Sequence, residues 1–409
     1  MRPQFFRFLS CSAAAVALSL FAGAASAQIS DDVVKIAVLN DMSGPFADVT
    51  GPGGLLGAQM AVEDFGGVVR GKKIEVIGGD HQNKPDIAST LARRWYEQEK
   101  VDAIVEVPIS SAAIAVLEVT KQLNKTFLIS GGAASDFTGK LCSTNSVHWA
   151  DDSAALSEGT ARAVVESGGK DWFFITSDYA FGRTLERDAT NVVQSAGGKV
   201  LGFVRHPLNN QDFSSFLLQA QASKAQVVGL ANTATDTMNT IKQAREFGLV
   251  AGGQRLAAFL FFVNDVKGVG LEAAQGMYLT SSFYWDLDDK TRAFSKRFFD
   301  RIGKMPNHEQ ASNYSAVMHY LKSIDAAGTD DAKTVIKKMK ELPVNDFYTK
   351  GPVAVRKDGR LMNDLFLFQV KAPAESTAPW DLYKVVRRIP AEQAYRSLDK
   401  SECPILSQM

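Results

Sequence analysis

The chain has 409 residues, too many for one ordinary domain and enough for two lobes of roughly 150–200 residues each. It is 45% hydrophobic and 22% charged, a globular balance that excludes a disordered chain. Lys+Arg and Asp+Glu both number 45, so there is no electrostatic footprint for nucleic acid or an anionic membrane surface.

The first 27 residues read as a signal peptide. Arg2 and Arg7 give a positive start, Phe8 to Ala22 is apolar apart from small or hydroxylated residues, and Ala25-Ser26-Ala27 fits an A-x-A cleavage pattern. The alternative, a membrane anchor, asks for a longer apolar run. Cleavage after Ala27 exports the chain and removes Cys11. Cys142 and Cys403 remain, and an oxidising compartment favours their pairing, which would tie the C-terminal tail to the middle of the chain. The alternative is two free, buried thiols.

Short apolar runs then alternate with amphipathic stretches. Strands are predicted at Val33–Leu39, Ile74–Ile77, Val101–Val107 and Phe127–Ser130, and again at Trp172–Thr176, Val200–Val204, Val227–Ala231 and Leu256–Phe262. Their nearly continuous apolar character suits strands covered on both faces by helices. Helices are predicted at Leu55–Phe65, Pro85–Lys100, Ala112–Leu123, Ala154–Ser167, Thr184–Ala196, Phe213–Ala222 and Thr235–Phe247. In the second of these, Pro85 suits a first turn and Ile87, Leu91 and Trp95 recur four apart. Beyond residue 262 the pattern changes. Helices are predicted at Asp288–Ile302, Tyr314–Ala327 and Val335–Leu342, and strands at Val353–Val355 and Leu365–Val370 around the turn Lys357-Asp358-Gly359-Arg360. Two α/β series and a mixed tail, with no Pro/Gly/Ser linker, predict two open, mainly parallel sheets joined by several crossings.

Catalytic constellations fail residue by residue. Gly51-Pro52-Gly53-Gly54-Leu55-Leu56-Gly57 lacks the dinucleotide fingerprint, because Leu56 stands where the third glycine belongs; it reads as a glycine-rich loop that lets backbone approach a ligand. Gly66 to Lys73 resembles a phosphate loop, but Lys73 replaces the metal-holding hydroxyl and a strand follows, so it reads as a surface turn. His81, His148, His206, His308 and His319 have no metal-ligand spacing, and no G-x-S-x-G elbow exists. Adjacent Asp151 and Asp152 suit a helix N-terminus better than acid–base work. No cofactor or metal is implied, and the chain reads as a binder.

Ligands of open α/β sheets sit outside the carboxyl ends of the strands. There the chain carries Pro108-Ile109-Ser110-Ser111-Ala112-Ala113 and Ser130-Gly131-Gly132-Ala133-Ala134-Ser135-Asp136, small and hydroxyl residues at helix starts, where free N–H groups suit a carboxylate. The competing reading is N-capping by Ser110 and Ser135. In the second half the same positions hold Ser177 to Gly182, Asn232 to Asp236 and Phe262 to Asp265. Tyr179 and Phe181 would cover an apolar part of the ligand, or belong to the core, and Asp178 is placed to cap the next helix. Phe283-Tyr284-Trp285-Asp286 reads as packing at a return crossing, with contact to the ligand as the alternative.

Taken in order, Ile36 to Phe46, Gly57-Ala58-Gln59-Met60-Ala61-Val62, Asp80 to Asp86, the Ser110-Ser111-Ala112 loop, Cys142 to Asp152 with His148-Trp149, Tyr179-Ala180-Phe181-Gly182 and Gln243 to Leu249 resemble the periplasmic binding proteins of branched-chain amino acid (leucine/isoleucine/valine-binding) type. The resemblance covers nearly the whole mature chain. It implies the type I fold of ABC importers: an α/β protein of two lobes, each a mainly parallel sheet flanked by helices, joined by a three-strand hinge. The implied lobes are 28–148 plus about 279–352, and about 149–278 plus 353–409. It implies a periplasmic, monomeric, non-enzymatic protein that closes on a small carboxylate-bearing solute, an amino acid or an aromatic or other small acid. Delivery would be to an ABC permease in the inner membrane. A sensor of amide- or urea-type ligands and an enzyme on a similar sheet are the alternatives. The carboxylate grip falls on Ser110, Ser111, Gly132, Ala133 and Ala134, the last departing from a common threonine. Tyr179 or Phe181 would be the aromatic cover, with Asn232 and Phe262 nearby, and Asp265 stands near the family's ammonium-holding acid.

Overall fold

The structure, a computed structural model, describes Met1 and residues 28–408; the signal-peptide reading, with Arg2, Arg7, Cys11 and cleavage after Ala27, lies outside the described residues. Three sheets organise the chain. The first contains β1 (Val33–Asn40), β2 (Val68–Val69), β3 (Lys72–Asp80), β4 (Ala103–Glu106), β5 (Thr126–Ile129) and β6 (Ser146–His148), in the order β2-β3-β1-β4-β5-β6. All pairings are parallel except the β2–β3 hairpin, whose turn residues Arg70 and Gly71 have φ of 52° and 80°. The phosphate-loop lookalike is therefore a surface turn, as expected. Between the strands run α1 (Gly51–Phe65), α2 (Pro85–Glu97) and α3 (Ser110–Gln122).

The chain continues through α4 (Ser153–Glu166), β7 (Asp171–Ser177), α5 (Ala180–Ser195), β8 (Lys199–His206), α6 (Ser214–Ala222), β9 (Val227–Ala231), α7 (Ala234–Glu246) and β10 (Arg255–Ala258), which build around a second sheet. That sheet is fully parallel, in the order β10-β9-β7-β8. Then come α8 (Val263–Val269), α9 (Leu271–Ala274) and β11 (Tyr278–Ser281). The chain returns to the first sheet with α10 (Asp289–Ile302), α11 (His308–Ala327) and α12 (Ala332–Glu341). It leaves again for β12 (Leu365–Val370), β13 (Tyr383–Ile389) and α13 (Ala391–Ala394). β11, β12 and β13 form a third, antiparallel sheet against α4.

Strands β4, β5 and β9 are buried at every residue, as continuous apolar runs demand. Edge strand β8 instead alternates and exposes Leu201 and Phe203. Leu256–Phe262 is a strand only to Ala258, after which the buried aromatics Phe259, Phe261 and Phe262 turn into α8. Val353 and Val355 make isolated bridges to Val344 and Leu361 and form no strand. The third sheet was not foreseen. β11 has only four residues, and β13 exposes Val385 and Val386 beside two arginines, so neither gives a clean period.

The glycine-rich stretch is not a loop. Gly51 to Gly57 forms the first turns of α1, and the missing side chains let α1 press onto α11. A Cβ at Gly53 would collide with the Gln310 side chain, one at Gly57 with the Gln310 carbonyl oxygen, and one at Gly54 with the Glu106 carboxyl. Among the described residues no cluster of metal-binding side chains occurs, and no helix is long and apolar enough to cross a membrane.

Cys142 and Cys403 form the disulfide, with Cα atoms 5.5 Å apart and 261 residues of sequence between them. Around it Ser401 reaches the Thr138 carbonyl, and Arg396 lies 3.7 Å from Asp188 on α5, so the tail lies against both lobes. Replacing both cysteines by serine should cost about 2–5 kcal/mol of stability, read as a lowered urea midpoint; an unchanged midpoint would mean the bridge closes no loop that matters. Gly57→Ala should lower the melting temperature, because a backbone oxygen cannot step aside as a flexible side chain can.

Candidate functional site

The loops at the carboxyl ends of the two parallel sheets meet. β1 lies between β3 and β4, so the strand order reverses beside it, the usual place for a ligand crevice. From the far side, Thr235 at the start of α7 donates to the Pro45 carbonyl at 3.0 Å. Asn307 Nδ2 donates to Asn264 Oδ1 at 3.1 Å and to the Val49 carbonyl at 2.8 Å. Phe262 stacks on His308 with ring centroids 4.8 Å apart and planes 10° from parallel. Ser135 donates to Asp188 at 2.7 Å, and Arg187 pairs with Asp136 at 3.1 Å. The lobes are therefore closed on each other, with these contacts spanning the cleft.

On the first lobe, the loops after β4 and β5 are pressed together. A Cβ at Gly131 would stand 2.9 Å from Pro108 Cα, and Gly131 donates to the Glu106 carbonyl at 3.2 Å. The chain enters the first loop through Glu106 at φ 83° and Val107 at φ 53°, a region that a β-branched residue enters only when its surroundings force it. This forced turn brings Ser110 to the first position of α3, fully buried, with its Oγ lacking any hydrogen-bond partner. Ser111 follows, half-buried. Ile109 is the N-cap and no side chain caps the helix, so Ser110 is no cap. Nor is Ser135: its hydroxyl goes to Asp188 and its N–H to Ser153.

Gly132, Ala133 and Ala134 are buried, and their carbonyls are all used: by His148 Nε2 at 2.7 Å, by Ser153 N–H at 2.8 Å and by Phe137 N–H at 3.2 Å. Their N–H groups donate to no partner among the described residues. Buried N–H groups are nearly always paired, so successive free ones beside an uncapped helix start stand out as open donors. His148 fixes this loop from behind. Arg360 is fully buried and can only donate, so its bond to His148 Nδ1 at 3.1 Å leaves the proton on Nε2, facing the Gly132 carbonyl. Burial and the Arg360 charge hold His148 well below its usual pKa, and hence neutral. Arg360 also reaches Asp152, the N-cap of α4, at 3.4 Å, and lies over the Tyr395 ring.

The second-lobe residues divide. Tyr179 is half-buried at the N-cap of α5, and burial, with Asp236 and Glu309 adding to it, pushes its hydroxyl well above its usual pKa. Phe262 forms the cross-cleft stack. Phe181 is core, 1% exposed. Asn232 uses its polar atoms within its own lobe, on Thr237, Thr240 and His206. Asp265 Oδ2 turns back to cap the Phe262 N–H at 3.1 Å. Asp178 caps nothing; it pairs with Arg183 on the surface at 2.7 Å.

Sequence reasoning passed over His308, Glu309 and the partner role of Asn307, because α11 was expected only from Tyr314. The signal was present: Asn307 and Gln310 form a reciprocal capping box, the Asn307 side chain accepting from Gln310 N–H at 3.0 Å and Gln310 Oε1 from Asn307 N–H at 3.1 Å. A groove of about 440 Å³ beside Lys267 and Pro379, on the second lobe, shares no residue with these loops.

Two lobes meet over these unpaired donors, and comparison with known proteins shows the class of protein. Residues 33–377 match the family described as periplasmic binding protein, and the chain belongs to that family. A crystal structure of a periplasmic binding protein from Burkholderia mallei is 48% identical with a TM-score of 0.89, covering 91% of this chain and 99% of that one. A branched chain amino acid ABC transporter periplasmic ligand-binding protein from Burkholderia xenovorans LB400 is 37% identical with a TM-score of 0.80, over 91% and 99%. The Leu/Ile/Val-binding protein homolog 6 of Brucella melitensis is 27% identical over 379 residues, 89% of this chain and 94% of that protein. The chain is thus a periplasmic solute-binding protein of ABC-transporter type, and no enzyme.

Behind the ligand loops, Glu106 accepts from Asn40 Nδ2 at 2.7 Å, and burial pushes its carboxyl up to about 8. Asp265 is likewise raised to about 8 and Asp236 to about 7, both by burial. A carboxyl raised on folding contributes its stability fully below the unfolded value, 4.5 for Glu106, and loses it as pH climbs through about 8. Relative to Glu106→Gln, which keeps the acceptor for Asn40, the wild type should therefore lose stability between pH 5 and 8, while the buried histidines, held low, act on both proteins alike. Urea titrations at both pH values test this; parallel slopes for wild type and variant would contradict it.

Proposed function

We propose that the chain captures a small carboxylate-bearing solute between its lobes and presents the closed form to an ABC permease in the inner membrane, as a monomer released into the periplasm by cleavage after Ala27. The observation that carries this reading is the pair of buried loops at the carboxyl ends of β4 and β5 whose donors lack partners: Ser110 Oγ, the first turn of α3, and the N–H groups of Gly132, Ala133 and Ala134. On this reading the solute carboxylate supplies the missing acceptor. Ser111 stands at the rim, and Tyr179 and Phe262 close over the apolar part. Phe181, Asn232 and Asp265 shape the second-lobe wall from behind.

The passages after β6, after β11 and between α12 and β12 serve as the hinge, with lobes of 28–148 plus about 279–352 and about 149–278 plus 353–409. The Arg360–His148–Gly132 chain of hydrogen bonds crosses the first of these passages, so hinge and grip are mechanically joined. A ligand favours the closed form only through contacts that exist there. A micromolar solute has about −8 kcal/mol in all, so a few bridging hydrogen bonds decide the state. The likeness to proteins described as Leu/Ile/Val-binding and as a branched chain amino acid transporter component supports a solute of amino-acid size.

A thermal-shift screen of amino acids, aromatic acids, amides and urea should yield a hit among the carboxylates. For that hit, Ser110→Ala with Ser111→Ala should weaken binding about 10- to 100-fold in calorimetry and leave the melting temperature of the free protein in place. Unchanged affinity would remove the carboxylate role.

A further inference from the structure

The resemblance puts the ammonium-holding acid in the second lobe, near Asp265, yet the Asp265 carboxylate is turned back onto the Phe262 N–H and sealed in. Another acid stands at the cleft. Glu309, in the first turn of α11, is 3% exposed, and its Oε2 has no hydrogen-bond partner. Its neighbours locate it. One turn on, Ser312 donates to the Ser130 carbonyl at 3.0 Å, so this face of α11 lies on the loop that carries Gly132. His308, the residue before it, stacks on Phe262 of the second lobe and approaches Asp151 at 3.9 Å. Tyr179, across the cleft, feels the charge of Glu309.

Around Glu309 the field is one-sided. The titratable groups that bear on it are Glu106, Asp151 and Asp265, all acids, and burial together with them holds Glu309 well above the usual carboxyl range. His308, the nearby base, is held below its usual pKa by burial. A second unpartnered group, the fully buried Ser110 hydroxyl, lies on the loop pressed against the same Ser130–Gly132 segment. An unpartnered acid beside unpartnered donors suits a solute with both a carboxylate and a protonated nitrogen.

Resting on the solute-binding reading above, we propose that Glu309 is the ligand-contacting acid of the cleft, and that it holds the protonated nitrogen of a small amino acid whose carboxylate lies on the Ser110 and Gly132–Ala134 loops. Both polar ends of the ligand are then read by the first lobe alone. The second lobe adds Tyr179 and Phe262 as cover, and Asp265 orders the Phe262 backbone without touching ligand. An acid without nitrogen, such as benzoate, would leave the buried Glu309 carboxyl without a partner and binds poorly.

The test is calorimetry of the purified mature protein with the proteinogenic L-amino acids, with the des-amino acid matching each hit, and with benzoate. At least one amino acid should bind, and its des-amino analogue should bind at least about 10-fold more weakly. Glu309→Gln should close that gap by weakening the amino acid, with far-UV dichroism and melting temperature unchanged. Binding to wild type should release protons near pH 7, seen as a heat that varies with buffer ionisation enthalpy, because the ligand cation favours the ionised carboxyl; this reading needs no variant. A des-amino acid or benzoate bound as tightly as the amino acid, a gap that survives Glu309→Gln, or an absence of proton release overturns the Glu309 assignment. If a nitrogen-free acid binds and loses affinity in the Ser110/Ser111 double variant, the solute-binding reading stands and only Glu309 falls. If no compound of either kind binds, both fall.

Discussion

The hydrogen bond from His148 to the Gly132 carbonyl is the constraint on which the site depends. A glycine-rich loop left to itself samples many conformations. Here its carbonyls are all held, one by His148, one by Ser153 and one by Phe137, while its N–H groups have no partner among the described residues. His148 can donate only because Arg360, buried and unable to accept, occupies its other nitrogen. A buried arginine is costly without partners. Asp152, the Leu361 carbonyl and the Tyr395 ring supply them from the segments where the chain passes between lobes.

A second constraint works through an absence of side chains. α1 carries glycine wherever it touches Gln310 or Glu106, and this close approach sets where the first turn of α11 ends up. From there Asn307 and His308 make direct contact with the second lobe. The same helix thus supports the first core and carries groups that meet the opposite lobe. Unpaired buried groups such as Ser110 Oγ and Glu309 Oε2 are tolerable at a binding site because a ligand can pair them, whereas in an ordinary core they would be a standing cost.

Much of this was legible beforehand. The parallel strands, most helices, the disulfide and the two first-lobe loops follow from apolar runs, four-residue spacing, cysteine count and the placement of small residues after strands. What escaped has physical reasons. β11 and β13 are short or lack a clean period, and their pairing is set by tertiary contacts at sequence separations no local pattern records. The α1 glycines read as a loop because glycine lowers helix propensity, and only the packing against α11 offsets that penalty. The capping box Asn307–Gln310 was visible and went unread, and with it Glu309. Asn232 and Asp265 show the limit of reasoning from residue type: both are polar and well placed along the chain, yet their side chains are committed to neighbours within the second lobe.

Closure of two rigid lobes on a small solute is the central claim, and small-angle X-ray scattering tests it most directly. With the compound that raises the melting temperature most, the radius of gyration should fall, and the ligand-saturated curve should fit the closed arrangement with Thr235 on Pro45 and Phe262 on His308. A saturating ligand that leaves the scattering curve unchanged from an open, ligand-free form would contradict it.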